Sequence, residues 1–248
     1  MDRITPRFVW GDISPPGGQG VSRGPGYQFY RLVPLDVMIL QIHLGLKEYT
    51  TEGVEEAIQN FWPCVNALVE ENAQRIILGG APVSSQLGRP RVRSLLGEVK
   101  EKTGVDGDAP LEAVIAAMLR LGLRRIVVGS RWADQLNNAL KAYLEAGGLE
   151  VVGVTTRGQW GKQAFAMSFD EGLKMAVEVG REAARLAPQA EAILVPGGAA
   201  MSVHAIPILE EEFGKPVLTN LNAEVWNGLV RPKVIAPVQG WGKLLATA

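Results

Sequence analysis

Short apolar segments alternate with longer segments of helical periodicity along most of the chain. In the segment 54–68, for example, Val54, Ile58, Phe61 and Val65 recur at the spacing of one helix face. Apolar runs that are too short for helices predict buried strands at 8–11, 35–44, 76–78, 125–129, 149–154, 192–195 and 217–220. Because such strands and helices alternate, the pattern predicts an α/β fold with mainly parallel sheets.

Two of the predicted strands end in a pair of glycines, and a predicted helix follows each pair. The pairs are Gly79-Gly80 and Gly197-Gly198. Glycine lets a ligand approach the backbone closely, and the free N–H groups at the start of a helix favour an anion. The plainer interpretation is a tight strand-to-helix turn without a ligand. The repetition itself indicates two copies of one half-domain, with their turns facing each other.

This repetition predicts two pseudo-symmetric lobes, each with a mainly parallel sheet flanked by helices. The first lobe is expected to hold residues 1–115 together with 221–248, and the second lobe residues 116–220. Ligands bind beyond the carboxyl ends of parallel strands, so the loops at those ends should meet in one cleft between the lobes. Those loops are 14–26, 79–86, 129–134, 196–204 and 219–222.

Composition excludes several classes of protein. The 248 residues carry a net charge of −1, without the basic excess that marks nucleic-acid binding. One cysteine and two histidines cannot form an intrachain disulfide and do not suit a Cys/His zinc site. We find no membrane-spanning run and no secretory signal at the start, so we expect a cytoplasmic protein that uses no membrane partner. The oligomeric state stays open, a homo-oligomer included.

The sequence indicates neither a cofactor nor a metal. We find no Walker loop, no dinucleotide fingerprint and no Ser-His-Asp set. Asp12, Asp36 and Glu224 are nevertheless oxygen donors of the kind that metals bind. The single cysteine, Cys64, lies inside a predicted helix, whereas a reactive thiol is favoured at a helix N-terminus. We therefore interpret Cys64 as a buried structural side chain.

A set of short motifs spread over most of the chain resembles the aspartate/glutamate racemase superfamily. Within it, the chain is most similar to the branch of arylmalonate decarboxylase and maleate cis-trans isomerase. The motifs are Ser14-Pro15-Pro16-Gly17, Thr51-Glu52-Gly53, the run 121–128, Asp134-Gln135-Leu136-Asn137, Gly197-Gly198, Ala205-Ile206-Pro207, Gly214-Lys215-Pro216-Val217 and Ala223-Glu224-Val225-Trp226. The resemblance implies two pseudo-symmetric α/β lobes with an active site between them.

The resemblance also implies that this chain departs from the chemistry of the family. Racemase-like members use two facing cysteines, one per lobe, to move a proton at the carbon next to a carboxylate. Matched to this sequence, those positions fall at Gly80 and Pro196. The decarboxylase branch keeps the second cysteine and has glycine at the first position. Its hydroxyl-bearing pair corresponds to Ala81-Pro82 and its tyrosine to Trp132. Because neither Gly80 nor Pro196 is a cysteine, cysteine-based racemisation does not carry over to this chain.

The candidates for replacing the cysteines are His204, His43 and Ser130. A histidine can act as a general base at neutral pH, and a serine can donate a hydrogen bond to an oxyanion. The alternatives are a half-exposed helix residue for His204, an ordinary strand residue for His43 and a cap or turn role for Ser130. The residues expected to bind the substrate are Pro16, Gly80, Ala81, Pro82, Ser84, Ser130, Trp132, Pro196, Gly197, Gly198 and Ala199.

Three functions follow from the sequence. The first is an enzyme of the lyase or isomerase class, which acts on a small carboxylic acid at the carbon next to the carboxylate without a cysteine. The second is a hydrolase or another lyase with a histidine base. The third is a non-catalytic protein that binds a small acid. An enzyme should hold an anion site and a titratable group in the same cleft, whereas a binder needs only the anion site.

Overall fold

The computed structural model describes residues 5–16, 23–159, 163 and 166–247, and side chains are described except those of Pro16, Arg23, Gly24 and Ala199. Within these residues the strands are β1 Phe8–Pro16, β2 Val37–Leu46, β3 Arg75–Leu78, β4 Asp106–Asp108, β5 Arg125–Val128, β6 Glu150–Val154, β7 Ala192–Leu194 and β8 Val217–Leu218.

Helices connect these strands. They are α1 Arg23–Leu32, α2 Thr51–Ala57, α3 Phe61–Glu70, α4 Ala81–Leu87, α5 Arg89–Thr103, α6 Pro110–Arg120, α7 Asp134–Ala146, α8 Phe169–Leu186, α9 Ser202–Phe213 and α10 Asn220–Val225. Two 3-10 turns, Ile58–Asn60 and Gly198–Ala200, and a π-helical turn, Trp226–Val230, complete the regular structure that is described.

The strands form two four-stranded parallel sheets with the orders β2-β1-β3-β4 and β6-β5-β7-β8. The predicted α/β fold with two parallel sheets flanked by helices is therefore confirmed. Both sheets place their strands in the same relative order, which agrees with a duplicated half-domain. The division into lobes at 115 and 220 stays a prediction.

Strand β1 is longer than the predicted run 8–11, and the expectation of a loop from residue 14 is corrected. Strand β1 lies between β2 and β3, and it pairs with β3 as far as Ile13 opposite Leu78 and with β2 as far as Pro16 opposite Leu46. Alternate residues of a strand share one face, so Trp10, Asp12 and Ser14 all point to the same side of the sheet. Residues 17–22 of the predicted loop lie outside the described residues.

The chain returns to the first sheet after the second sheet is complete. Helix α10 packs on α6, and the Asn227 side chain donates a hydrogen bond to Asp108 Oδ2 at 2.7 Å. Arg75 on β3 pairs with the same carboxylate at 3.2 Å. Residues of α10 therefore lie beside the carboxyl end of the first sheet.

A buried glutamine connects helix α1 to the segment that follows the second Gly-Gly turn. Gln28 of α1 is fully buried, donates from Nε2 to the Gly198 carbonyl at 2.6 Å and accepts at Oε1 from the Val203 amide at 2.9 Å. A buried amide side chain that satisfies backbone groups of another element fixes their spacing. Helix α1 is thereby held against the second Gly-Gly turn.

Candidate active site

A cleft lies where the carboxyl ends of the two sheets meet, and it encloses about 990 Å³ of space including the solvent at its mouth. Segments from both sheets line it, as expected for parallel α/β sheets. The lining residues are Trp10, Asp12, Ser14, Pro15, Pro25, Phe29, Ile39, Gln41, Tyr49, Gly79, Gly80, Ala81, Pro82, Arg131, Trp132, Leu136, Gly197, Gly198, Asn220, Leu221 and Glu224.

The two Gly-Gly turns have almost the same backbone conformation. Gly80 has φ 88° and ψ 106°, and Gly197 has φ 97° and ψ 105°. These angles lie in a region that residues with a Cβ atom rarely adopt, so glycine is required at both positions. A Cβ atom at Gly80 would also lie 2.3 Å from the Pro15 ring, and one at Gly197 would lie 2.9 Å from Arg131 Nη1.

The backbone N–H groups at these turns are only partly available to a ligand. The Gly79 amide donates to the Ile13 carbonyl at 3.0 Å, and the Gly197 amide donates to Asn220 Oδ1 at 2.8 Å. The second turn leads into the 3-10 turn Gly198–Ala200, and α9 begins only at Ser202. The Gly79 and Gly197 amides are therefore not available to a ligand, and the positive charge of the cleft has another source.

That source is Arg131, which follows β5 and is only 5% exposed. Its guanidinium lies against Gly197, and its Nε is buried with no hydrogen-bond partner among the described residues. Burial lowers the pKa of Arg131 to about 10, an effect that the nearby Tyr49 opposes. The side chain is still a cation at neutral pH, so Arg131 presents a positive charge to the cleft.

Asp12 lies on the other wall, at the first Gly-Gly turn. Its Oδ2 accepts a hydrogen bond from Gln41 Nε2 at 2.8 Å. A Cβ atom placed on Gly79 would lie 2.7 Å from Oδ1, so the carboxyl group sits directly against that turn. Burial raises the pKa of Asp12 to about 6, while the Gln41 hydrogen bond and the charge of His43 lower it. A carboxyl group with this pKa is protonated in a minor fraction of the molecules near neutral pH, and in those molecules it can donate a proton.

A second carboxyl group, that of Glu224, lines the same cleft from α10. Burial is the main cause that raises the pKa of Glu224 well above its usual value, and the charges of Asp12 and Asp108 raise it further. Burial also raises the pKa of the Tyr49 hydroxyl, so this phenol stays neutral. The cleft therefore has one cation, two carboxyl groups whose pKa values are raised, and a neutral phenol.

Six of the eleven residues expected to bind the substrate lie in this cleft, namely Gly80, Ala81, Pro82, Trp132, Gly197 and Gly198. Pro196 is buried behind the second turn and does not line the cleft. The side chains of Pro16 and Ala199 lie outside the described residues.

The two serines expected at the site, Ser130 and Ser84, do not line the cleft. The Ser130 hydroxyl is buried, donates to Asn137 Oδ1 at 2.6 Å and accepts from the Trp132 amide at 3.0 Å. It therefore shapes the loop that carries Arg131 and Trp132 and does not face the cleft. Ser84 is fully buried within α4 and does not line the cleft either.

The histidines do not line the cleft, so the structure does not support them as bases. His204 stacks on Tyr27 with ring centroids 5.8 Å apart, and its ring meets Trp241 edge-on at 5.2 Å. Burial and the charge of Arg31 lower the pKa of His204. His43 is exposed on β2, where it influences the charge of Asp12.

Cys64 is buried, as its apolar surroundings predict. It is 4% exposed, and its thiol donates weakly to the His43 carbonyl at 3.6 Å. Burial raises the pKa of Cys64, which disfavours the reactive thiolate. The residues that line the cleft contain no sulfur atom.

Within the described residues no helix is long and apolar enough to cross a membrane. No group of three or more His, Cys, Asp or Glu side chains in that part of the chain is placed to hold a metal ion.

Comparison with known proteins yields one family. The family model for arylmalonate decarboxylase matches residues 15–245. The arylmalonate decarboxylase of Bordetella bronchiseptica is 28% identical over 199 residues, which cover 80% of this chain and 81% of that protein.

The solved structures agree on the fold. A liganded mutant of arylmalonate decarboxylase, in which one glycine is changed to cysteine and one cysteine to serine, has a TM-score of 0.85 at 26% identity, covering 96% of this chain and 98% of that chain. A maleate cis-trans isomerase mutant of Nocardia farcinica with a covalently bound succinylcysteine intermediate has a TM-score of 0.82 at 17% identity, with the same coverages of 96% and 98%. The latter similarity concerns the fold alone.

Proposed function

The chain belongs to the arylmalonate decarboxylase family, and from this premise we propose that it decarboxylates a small malonate-type acid at the carbon next to the carboxylates, without a cysteine. The observation that carries the proposal is Arg131, a buried cation that faces the cleft without a partner at Nε. Such a group is costly in an empty site, and a bound carboxylate offsets that cost.

Arg131 would hold the carboxylate that remains in the product. When the bond to the other carboxylate breaks, negative charge moves onto the retained carboxylate and forms an enediolate. A guanidinium already in place stabilises this charge more than it stabilises the substrate, which is the requirement for catalysis.

The apolar wall of the cleft would act on the carboxylate that leaves. Trp10, Phe29, Trp132 and Leu136 line the cleft and are buried. An apolar wall desolvates a carboxylate but accommodates neutral CO2, so it favours the loss of CO2. The two carboxylates of one substrate would therefore meet different environments. One would lie at the Arg131 guanidinium, and the other would lie against the aromatic rings of the apolar wall.

The contents of the cleft support the cysteine-independent decarboxylase over the other two hypotheses. A hydrolase with a histidine base needs His43 or His204 in the cleft, and neither lines it. A simple binder needs an anion site alone, whereas this cleft also contains Asp12 and Glu224, whose pKa values are both raised. Titratable groups of this kind gather at sites of proton transfer.

The test is turnover of a panel of acids by the purified protein, followed by NMR. We expect 2-aryl- and 2-alkylmalonates to yield monocarboxylates with α-deuterium in D2O, and maleate and succinate to stay unchanged. Arg131→Met should lower kcat/KM by about 10³-fold, because one desolvated partner of a charged pair is lost. Its folding should be intact, since methionine replaces an unpaired buried charge.

Arg93→Met is the matched control, because Arg93 is exposed and does not line the cleft. This control should turn over normally. Lack of turnover of any malonate by the unaltered protein would refute the proposed reaction. Normal turnover by Arg131→Met would show that the carboxylate binds elsewhere.

A further inference from the structure

One wall of the cleft carries an acidic side chain and the other wall carries a basic one. Asp12 sits against Gly79 at the first Gly-Gly turn, and Arg131 sits against Gly197 at the second. Both side chains line the same cleft. Arg131 is more than nine-tenths buried and has an unpaired Nε, which independently indicates that an anion binds between the two walls.

We propose that Asp12 is the catalytic residue that donates a proton to the α-carbon after CO2 has left. This inference rests on the proposed function and assigns the step that a cysteine performs in racemase-like relatives. The resemblance places the first-lobe cysteine at Gly80, which has no side chain. The acid is instead Asp12 on the neighbouring strand β1. Its carboxyl group lies against Gly79, the residue before that position.

The contacts of Asp12 suit a proton donor. Gln41 holds Oδ2 at 2.8 Å and thereby fixes the orientation of the carboxyl group. The other oxygen, Oδ1, lies at the glycine turn, where a substrate can approach without meeting a side chain. A donor whose orientation is fixed by a second group needs little reorganisation during the proton transfer.

The charges around Asp12 set its protonation. His43 on β2 favours the carboxylate, and burial opposes it, so that the pKa lies at about 6. Glu224 on α10 interacts with Asp12 through space, and Tyr49 and Arg131 line the same cleft. A substrate dianion bound beside Asp12 adds negative charge, which raises the affinity of this carboxyl group for its proton.

The reaction balances with one proton. The bond between the α-carbon and the leaving carboxylate breaks, and its electron pair stays with the α-carbon as an enediolate. A new C–H bond then forms with the proton of the Asp12 carboxyl group, which becomes a carboxylate. Solvent returns the proton to Asp12, so that each turnover consumes one proton and releases one CO2, with no oxidation or reduction.

The first test is Asp12→Asn in the full chain. Asparagine keeps an oxygen for Gln41 but has no acidic proton at this pH. We expect kcat on phenylmalonate to fall by about 10³-fold, within the range for loss of a general acid, while KM changes only a few-fold. Asp106→Asn on β4 is the matched control, since Asp106 is exposed and paired with Lys100 at 2.9 Å.

The pH profile separates a donor from a structural residue. The proton donor must be protonated, so kcat/KM of the unaltered enzyme should fall about tenfold per pH unit above the pKa of Asp12, which is about 6. Asp12→Glu should be more active than Asp12→Asn, and its kcat/KM should still fall with rising pH. The residual activity of Asp12→Asn should show no such fall.

The second test does not depend on turnover. Phenylsuccinate is a dianion whose two carboxylates are on different carbons, so loss of CO2 from it cannot give an enediolate. Calorimetry of its binding at about pH 7.5, in buffers of different ionisation enthalpy, should show uptake of roughly one proton. This uptake should vanish in Asp12→Asn and persist in Glu224→Gln.

The outcomes distinguish the inference from the proposed function. If malonates are turned over and Asp12→Asn keeps normal kcat, the assignment of Asp12 is wrong and the reaction stands. If Glu224→Gln removes the activity and the proton uptake while Asp12→Asn removes neither, Glu224 is the donor. If malonates are not turned over, the reaction is wrong, and proton uptake that is absent from the unaltered protein overturns Asp12 as well.

Discussion

The two Gly-Gly turns share a backbone conformation but differ in the charge that lies against them. At the first turn the nearest charged group is the carboxyl of Asp12, and at the second it is the guanidinium of Arg131. Backbone angles at Gly80 and Gly197 agree within 10°. This difference in charge gives the cleft a direction along which a substrate can orient.

The two turns also differ in the groups that accept hydrogen bonds from their backbone amides. At the first turn the Gly79 amide is bound by the Ile13 carbonyl of the adjacent strand, and at the second the Gly197 amide is bound by the Asn220 side chain. A backbone partner is fixed by the sheet, whereas a side-chain partner can be replaced by mutation. The second turn is therefore the one whose position depends on individual side chains.

The largest effect that sharpens this contrast is expected at Gly197. In Gly197→Ala the new Cβ atom would lie 2.9 Å from Arg131 Nη1 and 3.3 Å from the Trp132 ring. Displacing the guanidinium by about 1 Å should reduce kcat/KM about 100-fold, because a carboxylate needs a fixed partner. Steady-state kinetics on phenylmalonate measures this loss.

Gly88→Ala is the control for backbone strain. Gly88 also has a positive φ of 76°, but no atom lies within 4 Å of the position of its Cβ. Both variants should lose about 1 kcal/mol of stability, and only Gly197→Ala should lose activity. Equal loss of activity in the two variants would mean that strain alone, and not the position of Arg131, explains the result.

A smaller effect is expected from Glu224 on the acidic wall. The pKa of Glu224 in the folded protein is raised above its ordinary value of 4.5. Between these two pKa values the folded state binds the additional proton, so the stability contributed by Glu224 is lost as pH rises through this window. Glu224→Gln should therefore lessen the fall in unfolding temperature between about pH 5 and about pH 8 by about 3 °C.

Calorimetric unfolding at the two pH values provides the measurement for this variant. Glu101→Gln, a change at an exposed glutamate, is the matched control and should leave the pH dependence unaltered. A pH dependence that is the same in Glu224→Gln and in the unaltered protein would show that Glu224 is charged in the folded state.

The smallest effect is expected at Cys64, which belongs to neither wall. Cys64→Ala should cost about 1 kcal/mol of stability and leave kcat/KM within a few-fold, because the side chain is buried away from the cleft. A thiol reagent should not react with the folded protein. Loss of activity with intact folding in this variant would show that the cysteine takes part in the reaction.

The sequence predicted the parts of the molecule that depend on periodicity and on glycine. Alternating strands and helices predicted the two parallel sheets, and the glycine pairs predicted the two turns that line the cleft. These features can be recognised because a repeated apolar spacing and a positive φ each restrict the residues that fit.

The charged residues of the cleft could not be predicted in the same way. The sequence predicts a strand over 8–11, which leaves Asp12 just beyond its end, whereas Asp12 lies inside β1 and pairs with Gln41 on one edge and with Ile77 on the other. Arg131 is one of several scattered basic residues, and its burial becomes visible only in three dimensions. Glu224 reaches the cleft because α10 packs on α6, a contact between residues that are distant in sequence.

Histidines titrate near neutral pH in water, which makes His43 and His204 candidates from the sequence. In the structure neither lines the cleft, and burial raises the pKa of Asp12 to about 6, which brings a carboxyl group into the same range. A signal was present in the sequence: an aspartate within an apolar segment at the carboxyl end of a predicted strand. An aspartate of this kind is a candidate proton donor when the expected catalytic side chains are missing.

The lining of the cleft, which contains no sulfur atom, has a consequence for the conditions under which the protein can work. A catalytic thiol is lost to peroxide, to disulfide exchange and to electrophiles such as maleimides. Carboxyl and guanidinium groups do not react with these agents. A site built from Asp12 and Arg131 would therefore keep its activity during oxidative stress that inactivates relatives with an active-site cysteine.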